Sequence, residues 1–341
     1  MKRAICALIA AIFLLGLYTP VNAAETKNYE GKIISILGDS ISTFQGYIPE
    51  ADGVNLRHFY TYPSERLLDD ANETWWMQVI NQLGGQLGVN ESWSGTRFSN
   101  YSSRNEQKVG KDVCMSSITR IKNLGSNGTP DVILVYGGTN DVGNRVDLGV
   151  FKPEKAPTEV DLDAIMWDDF CKAFTAAIMR LQHFYPDAEI YIMLPTHTEY
   201  FGEANFTPYL NVMQEVCDHY GIETIDLRKS GINLNHLPDG VHPNEDGMDL
   251  ITDEVIKNMM HTHSYTIAEE TGHSCECGKK ADHALSTTSG LLGSTTTTCS
   301  VCTYSTTNSQ PMILWLGGTA AVVIAVAIIL IVGNKKKKDL P

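Results

Sequence analysis

Between residues 27 and 260, short apolar runs alternate along the chain with longer segments whose apolar residues recur at helical spacing. The apolar runs predict five strands, at 32–37, 86–90, 131–136, 189–194 and 222–227. The helical spacing predicts helices over 75–83, 161–185, 207–220 and 244–260. Strands that are apolar throughout and alternate with helices are typical of a parallel sheet covered on both faces. The pattern therefore predicts one α/β domain over 27–260, with ligands bound at the carboxyl ends of the strands.

The N-terminal apolar run is typical of a secretory leader. Lys2 and Arg3 precede 14 apolar residues at 4–17, and Ala23 and Ala24 supply small residues for cleavage. Because a run of this length is shorter than the roughly 20 residues that span a bilayer, we expect a cleaved signal peptide over 1–24 rather than an uncleaved anchor.

The C-terminal apolar run is longer. Residues 312–332 form a stretch of 21 residues with no charged side chain, and four lysines follow at 335–338. This length can cross a bilayer, and basic flanking residues stay on the cytoplasmic side. The sequence therefore predicts a single transmembrane helix over 312–333 and a basic cytoplasmic tail over 334–341. The protein would then be held in the cell membrane by this helix, with its folded domain extracellular.

The charge of the chain excludes one class of partner. The sequence has 26 Lys+Arg and 40 Asp+Glu, a formal net charge of -14. Without the basic residues of the two ends and Asp339, 20 basic and 39 acidic residues remain, a net charge of -19. Binding nucleic acid through its phosphates needs a basic face, so we expect no nucleic-acid partner.

Three candidate site residues follow predicted strands. Ser40 comes after the first strand, Gly95 lies just past the second, and Asn140 follows the third. A serine hydroxyl at a strand end can act as a nucleophile, while a backbone N–H or an Asn amide can stabilise an oxyanion. Each residue taken alone could equally be an ordinary cap or turn residue.

A fourth block, Asp239-Gly240-Val241-His242-Pro243, precedes the last predicted helix. The three-residue offset between Asp239 and His242 lets the carboxylate and the imidazole face the same side of a loop. His242 could then take the proton of Ser40, while Asp239 orients the ring. A surface loop with an incidental histidine is the alternative, but the common position of the blocks around the strand ends favours a catalytic site.

Together these blocks resemble those of the SGNH hydrolases, also called the GDSL esterase/lipase family, over about residues 32–260. On this resemblance Ser40 is the nucleophile, Asp239 the acid and His242 the base. Gly95 and Asn140, with the Ser40 N–H, correspond to the oxyanion hole. The resemblance implies a flavodoxin-like three-layer α/β/α fold and ester hydrolysis without a cofactor for catalysis.

The substrate expected from the resemblance is a small ester, above all acylated carbohydrate, because similar secreted enzymes often remove acetyl or other short acyl groups from sugars. Trp93, in the loop beside Gly95, and Tyr200 are the candidate substrate-binding aromatics. Two alternatives stay open. One is a surface carbohydrate-binding or adhesive module without catalysis, and the other is an acyltransferase or lipase of the same fold.

From residue 261 to 310 the composition changes to one rich in Thr and Ser, which predicts a small module and a polar stalk. The cysteines of this segment form two close pairs, Cys275 with Cys277 and Cys299 with Cys302. Paired cysteines can hold a structural zinc ion, for which His273 and His283 are spare donors. An extracellular location favours disulfides between the two pairs instead, and the sequence leaves both possibilities open.

Overall fold

A computed structural model describes residues 27–48, 60–100, 113–152, 169–196, 198, 200–265, 267–269, 272–277, 279–289 and 294–308. The chain divides into two compact units, Met1–His261 and Thr262–Pro341.

The five predicted strands form one parallel sheet in the first unit. They are β1 (Ile33–Gly38), β2 (Gln86–Ser92), β3 (Val132–Tyr136), β4 (Glu189–Leu194) and β5 (Glu223–Asp226), and each predicted boundary is within two residues of the observed one. The strand order is β2-β1-β3-β4-β5, with every neighbouring pair parallel. This is the flavodoxin-like order, in which the chain switches direction beside β1 and opens a crevice at the carboxyl ends of β1 and β3.

The described helices of this unit are α1 (Trp75–Leu83), α2 (Ile118–Asn123), α3 (Thr139–Gly143), α4 (Phe170–Phe184), α5 (Glu203–Tyr220) and α6 (Glu245–Met259). Single 3-10 turns lie at Ser40–Ser42, Ala71–Glu73, Leu227–Lys229 and Leu234–His236. The helix predicted over 161–185 corresponds to α4, which begins at Phe170 because the Asp169 side chain accepts the Lys172 N–H and caps it. Residues 161–168 lie outside the described residues.

Side chains along the strands alternate between two apolar layers. Ile34 and Ile36 pack in a cluster with residues of α1 and α6. Leu37 packs on the other face, in a cluster with residues of α2, α4 and α5. Burial of both faces explains why the strands are apolar throughout. The predicted three-layer α/β/α arrangement with a parallel sheet is therefore confirmed.

The second unit contains two small antiparallel sheets among its described residues. One consists of β6 (Ile267–Ala268), β7 (His273–Ser274) and β8 (Lys280–Ala281), and the other of β9 (Leu285–Ser289), β10 (Thr295–Cys299) and β11 (Ser305–Asn308). The second sheet is built largely from Thr and Ser, so part of the segment predicted as a polar stalk forms paired strands.

The prediction of a single C-terminal transmembrane helix, part of the predicted fold class, is wrong. In the part of the chain that the structure describes, no helix is long and apolar enough to cross a membrane. The span predicted at 312–333 lies outside the described residues, as do the predicted leader at 1–24 and the tail at 334–341. The fold class is therefore an α/β/α domain with a small Cys-containing module, and no membrane helix is assigned.

Candidate active site

Ser40 lies where β1 ends and a single 3-10 turn begins. The Asp39 side chain accepts the Ile41 N–H and caps this turn. Strand and turn meet closely, since a Cβ at Gly38 would lie 2.6 Å from the Ser92 Oγ and 2.7 Å from the Ser42 Cβ. A side chain at position 38 would press on both serines, so glycine permits the close approach of strand and turn that places Ser40 at the carboxyl edge of the sheet. Ser40 itself is 7% exposed.

His242 and Asp239 reach this serine from the loop before α6. The His242 Nε2 lies 2.8 Å from the Ser40 Oγ, and the His242 Nδ1 lies 2.6 Å from the Asp239 Oδ2. The other carboxylate oxygen, Oδ1, accepts the backbone N–H groups of Val241 at 2.9 Å and of His242 at 2.7 Å. Serine, imidazole and carboxylate therefore form one continuous chain of hydrogen bonds.

The same contacts keep Asp239 ionised. Partial burial works to raise the pKa of Asp239, but hydrogen bonds from the His242 backbone, the His242 ring and the Val241 N–H outweigh it and hold the pKa below its usual value. An ionised carboxylate beside Nδ1 favours the tautomer whose proton is on Nδ1, which leaves Nε2 free to accept the serine proton.

Tyr62 also supports this loop, through a contact that the sequence pattern does not indicate. Its side chain is fully buried, and its hydroxyl donates to the Pro243 carbonyl at 3.0 Å. Its ring also meets the His242 ring edge-on, with centroids 6.5 Å apart. Since Tyr62 and Pro243 are 181 residues apart, no local spacing could have suggested this contact.

Asn140 and the loop that carries Gly95 both contact residues that directly precede Ser40. The Asn140 Nδ2 is 3.4 Å from the Asp39 Oδ2, at the start of α3. Gly95 has a φ of 77°, in the left-handed region. The Trp93 N–H, two residues before Gly95, donates to the Gly38 carbonyl at 3.2 Å. The structure therefore gathers the Ser40, Gly95 and Asn140 blocks at the carboxyl ends of β1, β2 and β3.

Arg120 of α2 joins two of these blocks from inside the protein. It is 1% exposed, and it donates to the carbonyls of Gly38 at 3.2 Å, Glu91 at 2.6 Å and Val113 at 2.8 Å. Its guanidinium also lies 4.7 Å from the centroid of the Trp93 ring. Sequence reasoning missed this residue, because a single arginine in a six-residue helix has no distinguishing signal.

Two fully buried carboxyls lie behind the site. Burial raises the pKa of Asp39 to about 7, although the Ile41 N–H opposes it. Burial likewise raises the pKa of Asp141 to about 6, against hydrogen bonds from the backbone N–H groups of Phe98 and Ser99. Asp141 therefore ties the chain after Gly95 to the helix that carries Asn140.

The two candidate substrate-binding aromatics have different surroundings. Trp93 is partly buried, stacks on Arg120 and lines a surface cavity of about 630 Å³ together with residues of α2. Tyr200 is 71% exposed and borders the catalytic loop, since a Cβ at Gly240 would lie 3.9 Å from the Tyr200 Cβ. Tyr200 thus offers an accessible ring near Gly240 of the catalytic loop.

The structure separates the four cysteines of the second unit into two groups. Cys275 and Cys277 lie with His263, whereas Cys299 and Cys302 lie with His273 and His283. Each cysteine pair therefore has its own histidine donors, and the four sulfurs are not gathered at one point.

A family model and solved structures of known proteins match this chain. The chain matches the model of the GDSL-like Lipase/Acylhydrolase family over residues 32–259. It is 29% identical to a GDSL-like lipase from Bacteroides ovatus, with a TM-score of 0.54, and the match covers 68% of this chain and 100% of the other. A GDSL-like lipase from Bacteroides uniformis is 32% identical, with a TM-score of 0.51 and coverage of 67% and 94%. Among curated proteins, none matches. Because the family model spans more than half of the sequence, the chain belongs to the GDSL-like lipase/acylhydrolase family and is a carboxylic ester hydrolase.

Proposed function

We propose that Ser40, His242 and Asp239 are the catalytic triad of this esterase and that its substrates are short acyl esters of carbohydrate. The observation that carries the triad is the unbroken hydrogen-bond chain of 2.8 Å from Ser40 to His242 and 2.6 Å from His242 to Asp239. Hydrolases of this family need no cofactor for catalysis. The chemistry is therefore assigned to these side chains alone.

The reaction is a double displacement. The Ser40 Oγ attacks the ester carbonyl carbon while the His242 Nε2 takes the hydroxyl proton, and the C=O electron pair moves to the oxygen. The Ser40 N–H, the Gly95 N–H and the Asn140 amide stabilise this oxyanion. His242 then protonates the departing alcohol, leaving an acyl-serine. A water molecule, deprotonated by His242, attacks the acyl carbon in turn and releases the acid and free Ser40.

The exposure of the triad suits these steps. Ser40 is almost fully buried and held by the end of a strand, so the attacking oxygen has a fixed position. The His242 side chain is 21% exposed and that of Asp239 is 48% exposed. Water and the leaving alcohol can therefore reach the base from the solvent side. The Ser40 oxygen stays fixed while the leaving alcohol departs from the His242 Nε2 and the attacking water takes its place there.

Ser40→Ala tests the triad directly, and Ser42→Ala is its matched control. Both serines lie in the same 3-10 turn, but the Ser42 hydroxyl accepts the Trp75 Nε1–H instead of facing His242. We expect Ser40→Ala to abolish hydrolysis of a short-chain aryl acetate while the melting temperature is unchanged. Ser42→Ala should retain turnover. Full activity in the Ser40→Ala protein would remove this serine from the mechanism.

The proposed carbohydrate substrate is supported by the exposed ring of Tyr200 beside the catalytic loop, on which a sugar could stack. With an acetylated oligosaccharide, Tyr200→Ala should raise KM about 2–10-fold, since an aromatic contact contributes about 0.5–1.5 kcal/mol. Tyr200→Phe, which keeps the ring, should leave KM unchanged, and neither variant should affect a small aryl acetate. Cleavage of long-chain lipid esters alone, in a panel that includes acetylated glycans, would contradict the substrate assignment. Acyl transfer to a sugar in preference to water would assign the alternative, an acyltransferase.

We further propose that residues 1–24 direct the enzyme out of the cytoplasm. The support is the basic start and the 14-residue apolar run of this segment. Expressed in a secreting host, the mature protein should begin after Ala23 or Ala24, and Leu14→Arg should block export. A mature chain that still begins at Met1 would contradict the proposal.

A further inference from the structure

Among its described residues, the second unit buries almost no apolar side chain. Within its described part, the buried side chains are those of His273, Ser274, Cys275 and Cys299. Every residue of β9 and β11 is exposed, and Val301 is 49% exposed. Small domains that bury so little apolar surface are commonly held together by disulfides or metal ions, and the described part of this module fits that class.

We propose that His273, His283, Cys299 and Cys302 form a closed tetrahedral zinc site that holds this module together. One donor atom from each side chain lies within 4.8 Å of the other three. Two sulfurs and two imidazole nitrogens at a tetrahedral centre are the donor set that zinc prefers. The site lies entirely within the second unit, and it has no part in the ester hydrolysis proposed for Ser40.

The distances between donor atoms agree with such a site. With zinc about 2.3 Å from sulfur and about 2.05 Å from nitrogen, a tetrahedral angle places sulfur and nitrogen about 3.5–3.6 Å apart. The Cys299 Sγ lies 3.6 Å from the His273 Nδ1, and the Cys302 Sγ lies 3.5 Å from the His283 Nδ1. Two separate edges of the four-atom group therefore have the lengths that one central ion would give them.

The groups around the ligands prepare them for a metal. The His283 Nε2 lies 2.9 Å from the Glu269 carbonyl, which can only accept, so the ring proton is on Nε2. The lone pair of the neutral ring is then on Nδ1, the atom that faces Cys302. The Tyr304 ring stacks on the His283 ring at 4.0 Å and fixes its orientation. The Val301 N–H points at the Cys299 Sγ at 3.4 Å and stabilises a thiolate.

Charge balance also favours a divalent ion. Binding releases the two thiol protons, and two thiolates with two neutral imidazoles neutralise Zn²⁺ in this small, partly buried group. The first cysteine pair lies in its own group with His263, so substitution of Cys299 and Cys302 removes donors from one group only.

The test measures zinc per chain in the full-length protein, purified under a non-thiol reductant and loaded with zinc. We expect the double variant Cys299→Ser with Cys302→Ser to contain one zinc ion fewer per chain than the unsubstituted protein. Ser300→Ala, an exposed neighbour in the same loop, is the matched control and should retain the full content. Hydrolysis of an aryl acetate should be equal in all three proteins, which separates this site from the catalytic one.

Cobalt provides a second measurement, which reports the coordination geometry rather than the amount of metal. Loaded with Co²⁺, the Ser300→Ala protein should show the intense visible bands of a four-coordinate ion and a thiolate charge-transfer band. The difference spectrum against the double variant should retain both features. Equal zinc content in the two variants, a six-coordinate cobalt difference spectrum, or a Cys299–Cys302 disulfide in protein isolated without reductant would each overturn the proposal.

Discussion

Asp39, which directly precedes the candidate nucleophile, provides a test of the electrostatics behind the site. Its side chain is fully buried, and burial raises its pKa from 3.8 to about 7 against the opposing hydrogen bond from Ile41. The carboxyl of Asp141 raises the pKa further, while the Arg120 guanidinium lowers it. Asp39→Asn removes the titration and keeps the shape, including an oxygen that can accept the Ile41 N–H.

The sign of the effect follows from the number of bound protons. Between about pH 4 and pH 7 the folded chain keeps a proton on Asp39 that the unfolded chain has released. The stabilisation from this group is therefore fully present below the unfolded pKa, falls as the pH rises, and is lost above the folded pKa. The difference between 3.8 and about 7 corresponds to about 4 kcal/mol, at about 1.36 kcal/mol per pKa unit.

Urea unfolding followed by tryptophan fluorescence measures this, because Trp75 and Trp76 are fully buried in α1. Relative to Asp39→Asn, the unsubstituted protein should lose about 3–4 kcal/mol of unfolding free energy between pH 4 and pH 7.5. Asp131→Asn is the control, because the hydrogen bond from Lys32 lowers the pKa of Asp131. The difference in unfolding free energy between this variant and the unsubstituted protein should therefore stay nearly constant over this pH range. If the difference in unfolding free energy between Asp39→Asn and the unsubstituted protein is also constant between pH 4 and pH 7.5, the raised pKa of Asp39 is refuted.

Three further substitutions test the geometry of the site. Asp239→Asn should lower kcat on the order of 10²–10³-fold with no change in melting temperature, because an amide facing the His242 Nδ1 favours the wrong tautomer; unchanged kinetics would exclude the orienting role. Arg120→Lys should lower the free energy of unfolding in urea by about 2–4 kcal/mol, because one ammonium group cannot replace the fork that reaches three carbonyls. A loss below about 0.5 kcal/mol, which is typical of substitutions at surface positions, would argue against a structural role for the Arg120 guanidinium. Gly38→Ala should cost about 1–3 kcal/mol and reduce kcat, since its Cβ would press on Ser42 and Ser92, and a variant as active as the parent would show that the strand end can relax.

Much of the α/β domain is predictable from sequence because its strands are buried on both faces. Such strands must be apolar at every position, and that leaves a continuous signal in the sequence. The two short helices, α2 and α3, have six and five residues, less than two turns, and therefore too few positions for a helical period to be recognised. The start of α5 was predicted late for another reason. The helical spacing is recognised from 207, whereas the helix begins at Glu203, because its first turn contributes few apolar positions.

The site residues divide in the same way. Ser40, Asn140 and the Asp239 block follow or precede predicted elements, so their order along the chain indicates that they meet at one edge of a parallel sheet. Arg120 and Tyr62 act through contacts with distant backbone carbonyls, and no spacing along the chain encodes those contacts. The same limit applies to the module.

In the module, sequence spacing groups each cysteine with its neighbouring cysteine. The histidines complete those groups only after the chain has folded, because β7 carries His273 and a turn before β9 carries His283. Spacing therefore indicated a metal or disulfide module with His273 and His283 as spare donors, but it could not show that both histidines lie with Cys299 and Cys302.

The exposed position of Asp239 gives this one carboxylate two separable tasks. Its Oδ1 accepts two backbone N–H groups and so shapes the loop, while its Oδ2 orients the His242 ring. When the Asp239 side chain is absent, water can take the place of Oδ2 beside the His242 ring, because this position is half-exposed. A water molecule is not tethered to the chain, however, and cannot hold the loop as Oδ1 does. Removing the whole side chain therefore loosens the loop and the ring together, whereas an amide keeps the loop and reverses only the hydrogen bond to the ring. Alanine at this position should lower both melting temperature and kcat, and asparagine should lower kcat alone. The contrast between the two variants separates what Asp239 does for folding from what it does for the base.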